Sequence, residues 1–89
     1  MLLTNRELLV PARKKGYAVG AFNINNLEAL LAVTEAATEE KSPAIIAVTP
    51  SAIKYDGLPY LSNMVKTAAA ICPMPLSLHL DHGEEIDTV

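Results

Sequence analysis

Tryptophan is absent, phenylalanine occurs once, and aromatic residues make up only 4% of the 89-residue chain. Basic residues are outnumbered: seven Lys and Arg stand against ten Asp and Glu, for a net charge of -3. That balance leaves no basic footprint for a phosphate backbone, so charge argues against a nucleic-acid partner. Long apolar runs are missing too. None approaches the roughly 18 residues of a membrane span, so no membrane partner is expected. The opening Met1-Leu2-Leu3-Thr4 has no basic segment followed by an apolar stretch and does not read as a secretory signal. Cysteine occurs once, at Cys72. An intrachain disulfide is excluded, and a reducing, cytoplasmic setting fits. Histidine occurs twice, at His79 and His82, which cannot complete a three-histidine metal site.

What remains is a globular composition, 51% hydrophobic and 19% charged,. A chain this short buries only about 60% of the surface its unfolded form exposes, so one domain, 1–89, is the ceiling.

Hydrophobic spacing predicts alternating helices and strands. Thr4 with Glu7 three residues later forms a capping box for a helix over 4–15. Pro11 should end or kink that helix early. The basic run Arg13, Lys14 and Lys15 before Gly16 marks its C-terminus. Residues 17–24 read as a strand, in which Gly20 signals a close approach. Asn25, with Glu28 three residues on, is the expected N-cap of the next helix. Leu27, Leu30, Leu31 and Thr34 form the apolar face of that helix, which stops at Ser42-Pro43. Residues 44–49 are a continuous apolar run, as in a strand covered on both faces. Residues 51–57 read as a polar loop or short helical turn, and 60–71 as a second crossover helix. Cys72 reads as a small buried hydrophobe.

The stretch 76–82 carries the most information. Leu76, Leu78 and Leu80 alternate with Ser77, His79 and Asp81, so the leucines face one side and the polar groups the other. Strands alternating with helical crossovers argue for a parallel sheet. In an open doubly wound sheet, helices would bury His79 and Asp81 at a cost. In a (β/α) barrel that side is the interior, and the strand's C-terminal end opens into the active-site mouth. The expected class is therefore α/β, with a (β/α) barrel favoured over an open sheet. Glu84, Glu85 and Asp87 fall where the first turn of a further helix would carry acids.

Asp81 and His82 at the strand end are the candidate chemical pair. Spacing alone leaves two readings open. A strand-end His and Asp hydrogen-bonded to loop backbone is the commoner arrangement, and a metal site with an open position is the other. Asn23 is similarly open, as a turn or capping residue or as a polar group at the site.

The run Gly16-Tyr17-Ala18-Val19-Gly20-Ala21-Phe22-Asn23-Ile24-Asn25-Asn26, then Lys41-Ser42-Pro43-Ala44-Ile45-Ile46, then His79-Leu80-Asp81-His82-Gly83, resembles the N-terminal part of the class II, metal-dependent fructose-bisphosphate aldolases. The tagatose-bisphosphate aldolases are similar. The resemblance implies the first three βα units of a TIM (β/α)8 barrel, truncated. The resemblance implies a carbon–carbon lyase that reversibly cleaves a ketose 1,6-bisphosphate to glycerone phosphate and glyceraldehyde 3-phosphate. It implies Asp81 as the catalytic acid/base and His82 as a ligand to Zn²⁺ or another divalent metal. It implies Asn23 and Thr49 as substrate-binding residues. His79 lies beside the site and is not counted as a ligand. A phosphorylated ketose is the implied partner, in a homodimer or homotetramer, and the 89 residues alone are expected to be inactive. The alternatives are a tagatose-1,6-bisphosphate aldolase and a non-catalytic three-stranded α/β module. No lysine stands at a strand end to form a Schiff base.

Overall fold

The structure, a computed structural model, describes residues 1–81. The elements run β1 (Leu2–Leu3), α1 (Asn5–Lys15), β2 (Gly20–Asn23), α2 (Leu27–Glu40), β3 (Ala44–Val48), α3 (Pro50–Asp56), α4 (Leu58–Ile71) and β4 (Leu76–Leu80). All strand pairs are parallel, in the order β1-β4-β3-β2. Three of these strands are the expected ones. The fourth, β1, is only two residues, Leu2 and Leu3, which pair with Leu76 and Ser77. Two residues are too few to show a period of two.

The α1 helix starts at the expected capping box: Thr4 accepts from the Glu7 amide at 3.1 Å, and Glu7 reaches back to the Thr4 amide at 3.1 Å. It ends at Gly16, which adopts φ 79° and donates to Ala12 O. Pro11, expected to break this helix, lies inside it. An interior proline typically costs about 3 kcal/mol. Caps at both ends and the buried Leu8 and Ala12 hold the helix through it.

The α2 helix begins one residue later than expected. Its N-cap is Asn26, not Asn25, and Asn26 Oδ1 accepts from the Ala29 amide at 2.8 Å. Both residues are asparagines, a favoured N-cap type, but Glu28 lies three residues after Asn25 and the cap forms at Asn26 regardless. Of the two readings for the segment after β3, the helical one holds: α3 is a seven-residue helix, capped by Thr49 with Pro50 in its first turn, where a missing N–H costs nothing. At Gly20 a Cβ would lie 2.5 Å from the Phe22 ring; the close neighbour is a side chain two residues on at an exposed position, not another backbone or a tight interior.

Register divides the sheet into two faces. Ala44, Ile46 and Val48 align with Leu76, Leu78 and Leu80. This face packs under α2 and α4. One cluster gathers Leu30, Ile46, Val48, Leu61 and Val65, with Leu80 against it. A second gathers Ala37, Ala44, Ala69, Cys72 and Leu76. All five residues of β3 are buried, as its continuous apolar run requires. Leu78 departs from the expectation that all three leucines pack inward, being 40% exposed. Pairing with β1 ends at Ser77, so that edge of β4 is uncovered beside Leu78 among the described residues. The opposite face carries Ser77 and His79, and Asn5 of α1 reaches both. Helix α1 therefore lies against β4 on the face away from α2 and α4.

Candidate active site at the strand ends

Parallel strands place all their C-terminal ends on one side. Asn23 closes β2, Thr49 follows β3, and Asp81 follows β4. The Asp81 amide donates to Val48 O at 2.7 Å, which carries the ladder one residue past β4. On the other side, the Ile24 amide donates to Ala47 O at 3.0 Å. These two bonds fix the backbone on both sides of β3 at its end.

Across that frame Asn23 Nδ2 donates to Asp81 Oδ2 at 3.3 Å. The two residues sit on strands that do not pair directly, with β3 between them. Asn23, Ala47 and His79 form one register row. Ala47 is the middle member, and its methyl group leaves room for Asn23 and Asp81 to meet above it. A larger residue at 47 would separate them. Asn23 thus holds a carboxylate oxygen, which is more than a turn residue does.

Thr49 has a structural duty as well. Its Oγ1 accepts from the Ala52 amide at 3.1 Å as the N-cap of α3. Its O–H remains available to donate. Asn23 and Thr49 line one open cavity of about 540 Å³, with Asn25, Ser51 and Tyr55 also in its wall. Freed from capping by Asn26, Asn25 faces this cavity. A second cavity of about 340 Å³, between β2 and α2, is lined mostly by apolar groups such as Phe22, Ala32 and Val33. It lies away from the strand ends and offers little to a polar substrate.

Of the four expected site residues, the structure brings Asn23 to Asp81 by a hydrogen bond and Asn23 to Thr49 in one cavity. His82 lies outside the described residues, as do Glu84, Glu85 and Asp87. Among the described residues no group of three or more His, Cys, Asp or Glu is placed to hold a metal ion. Asn5 is the residue that sequence reasoning missed. It is 72 positions from Ser77 and 74 from His79, yet its side chain meets both. No local pattern signals a contact of that range.

The sequence profile of the class-II fructose-bisphosphate aldolases matches residues 3–89. The chain belongs to that family. It is 47% identical over 89 residues to a fructose-bisphosphate aldolase of Thermus caldophilus, covering 100% of this chain and 29% of that protein. It is 40% identical over 85 residues to the D-tagatose-1,6-bisphosphate aldolase subunit GatY of Klebsiella oxytoca, covering 96% of this chain and 30% of that one. Among solved structures, the YdjI aldolase of Escherichia coli K12 superposes with a TM-score of 0.90 at 33% identity, over 99% of this chain and 34% of that one. The chain thus spans under a third of the length of these curated relatives. Its βα units are those of the aldolase barrel, and Asn23, Thr49 and Asp81 stand at the strand ends of the family fold, where a barrel presents its site.

Proposed function

We propose that this chain forms the opening βα units of a metal-dependent aldolase that reversibly cleaves a ketose 1,6-bisphosphate, with fructose 1,6-bisphosphate as the first candidate. The products are glycerone phosphate and glyceraldehyde 3-phosphate. The observation that carries this reading is the Asn23–Asp81 pair at 3.3 Å on the rim of a parallel sheet, in a chain of this family. A tagatose 1,6-bisphosphate is the second candidate, supported by the relative so named.

In the cleavage direction, Asp81 takes the proton from the hydroxyl on the carbon beside the bond that breaks. The carbon–carbon bond then opens, leaving a carbonyl on one fragment and its electron pair on the other, as an enediolate. In condensation Asp81 returns the proton. Asn23 donates to Asp81 Oδ2 and so orients the carboxylate. Thr49 offers its hydroxyl hydrogen to a substrate oxygen while its lone pair caps α3.

His82 directly follows Asp81 in the sequence, and an imidazole nitrogen is a ligand that suits zinc. We assign His82 as a ligand to Zn²⁺ or a similar divalent ion. With two histidines in the chain, the remaining ligands are supplied from outside these residues. When bound, such an ion supplies Lewis-acid stabilisation of negative charge on the ketose carbonyl oxygen. The reading extends to a cytoplasmic homodimer or homotetramer, supported in compartment by the one cysteine being free and buried.

The test is aldol cleavage of fructose and tagatose 1,6-bisphosphates by the full-length protein, with metal analysis. Cleavage of one of them, loss of activity on chelation and its return with Zn²⁺ are expected, and His82→Ala is expected to lose the metal. Cleavage that survives chelation, or full metal content in His82→Ala, would overturn the assignment.

A further inference from the structure

Asn5 opens α1 and ties that helix to the polar face of the sheet. Its Oδ1 accepts from the Ser77 hydroxyl at 2.5 Å, and its Nδ2 lies 3.5 Å from His79 Nδ1. The shorter contact decides which end of the amide faces which partner. O–H···O bonds span about 2.5–3.0 Å, whereas N–H···O bonds span about 2.7–3.2 Å. A separation of 2.5 Å therefore pairs two oxygens. Ser77 is fully buried, so its hydroxyl requires an acceptor, and Asn5 Oδ1 is that acceptor. The amide NH₂ is left facing the imidazole. A donor opposite Nδ1 makes Nδ1 the acceptor, and the ring proton then resides on Nε2.

We propose that Asn5 and Ser77 are positioning residues that hold His79 as its Nε2–H tautomer, a hydrogen-bond donor on the face that carries Asp81 and Asn23. His79 is exposed, and its donor suits an oxygen of the substrate. The role in catalysis rests on the aldolase reading above; the tautomer does not. Ser77 is the anchor, Asn5 the connector, and His79 the group presented. Helix α1 thereby has a second task beyond covering β4, since it sets the proton position of a ring beside the candidate site.

Ring-nitrogen NMR of the full-length protein reads the tautomer directly, and steady-state kinetics of ketose-bisphosphate cleavage reads its use. The wild-type protein is expected to show His79 as the Nε2–H form. Asn5→Asp keeps the side-chain length, places an acid in a helix first turn where it is welcome, and removes the N–H donor. A carboxylate only accepts, so a proton is expected on Nδ1. The loss of one positioned hydrogen bond is expected to lower kcat about fivefold with KM nearly unchanged. Ser77→Ala frees the amide to turn over and should give both tautomers, while Ser77→Thr keeps the hydroxyl and should restore the wild-type spectrum. A wild-type His79 protonated on Nδ1, an unchanged tautomer in Asn5→Asp, or a changed tautomer with unchanged kcat would each overturn the proposal. A wild-type protein with no aldolase activity would defeat the proposed function, and the spectra would still decide whether Asn5 and Ser77 set the ring.

Discussion

The two faces of the sheet are built from the same strands and do opposite work. Toward α2 and α4 stand Ala44, Ile46, Val48, Leu76 and Leu80, packed into apolar clusters. Away from them stand Ser77 and His79, both met by Asn5, and separately Asn23 hydrogen-bonded to Asp81. Adjacent residues of β4 belong to different regimes: Leu76 is buried against aliphatic carbon and Ser77 is buried against an amide. One face stores stability through non-directional burial. The other fixes directions, because a hydrogen bond has geometry and a methyl contact has little. The consequence is that substitutions on the two faces should fail differently.

The largest expected effect is on the polar face. Asp81→Asn removes the proposed proton acceptor and leaves the shape. Cleavage by the full-length protein should fall by about 10²–10⁴-fold, the usual worth of general acid–base catalysis. Its melting temperature should stay near the wild-type value. Activity within a few-fold of wild type would remove Asp81 from the mechanism.

On the packed face the signs reverse. Ile46 has no exposed surface, and truncating a buried isoleucine or leucine to alanine usually costs about 2–5 kcal/mol. Ile46→Ala should lower the denaturation midpoint by a corresponding amount. Turnover per folded molecule should be unchanged. A normal midpoint with lost turnover would mean that the division between the faces is drawn in the wrong place.

The division itself was legible in the alternation of Leu76, Ser77, Leu78, His79, Leu80 and Asp81, because a strand's period of two is a local property. So was the apolar run 44–48, and so were the caps at Thr4 and Gly16. What stayed hidden depends on contacts between distant parts of the chain. Pro11 reads as a breaker, yet burial of Leu8 and Ala12 overrides it. Asn25 and Asn26 are both favoured N-cap types; the Glu28 spacing points to Asn25, and the cap is Asn26. β1 has too few residues to form a pattern. Asn5 looks like an ordinary first-turn polar residue, and its partners lie more than 70 positions away. The strand-end residues Asn23 and Thr49 came from resemblance; the contact of Asn23 with Asp81 and the cavity that Asn23 shares with Thr49 came from the structure.

Asn23→Ala tests the bridge across β3 and should have an intermediate effect. It removes the donor to Asp81 and leaves Ala47 and the strand ladder untouched. Hydrogen bonds to charged groups are worth about 1.5–3 kcal/mol, so a fall in kcat/KM of about tenfold or more is expected. Ala47→Leu should mimic it by forcing the two side chains apart. If Asn23→Ala leaves turnover intact while Ala47→Leu abolishes it, the row matters for shape and not for the bond.

Thr49 should give the smallest effect and the sharpest distinction, because it belongs to both regimes. Its oxygen caps α3 through the Ala52 amide, and the residue lines a cavity shared with Asn23. Thr49→Ala removes both functions, and loss of an N-cap typically costs about 1 kcal/mol. Thr49→Asn retains a strong capping side chain but not the hydroxyl. The cap alone predicts that Ala is destabilised, Asn is not, and KM moves in neither once folding is corrected for. A substrate contact predicts that KM rises in both variants, including the stable one. The second pattern is expected. The first would confine Thr49 to the helix it begins, and would leave Asn23 and Asp81 as the site residues that the described strand ends contribute.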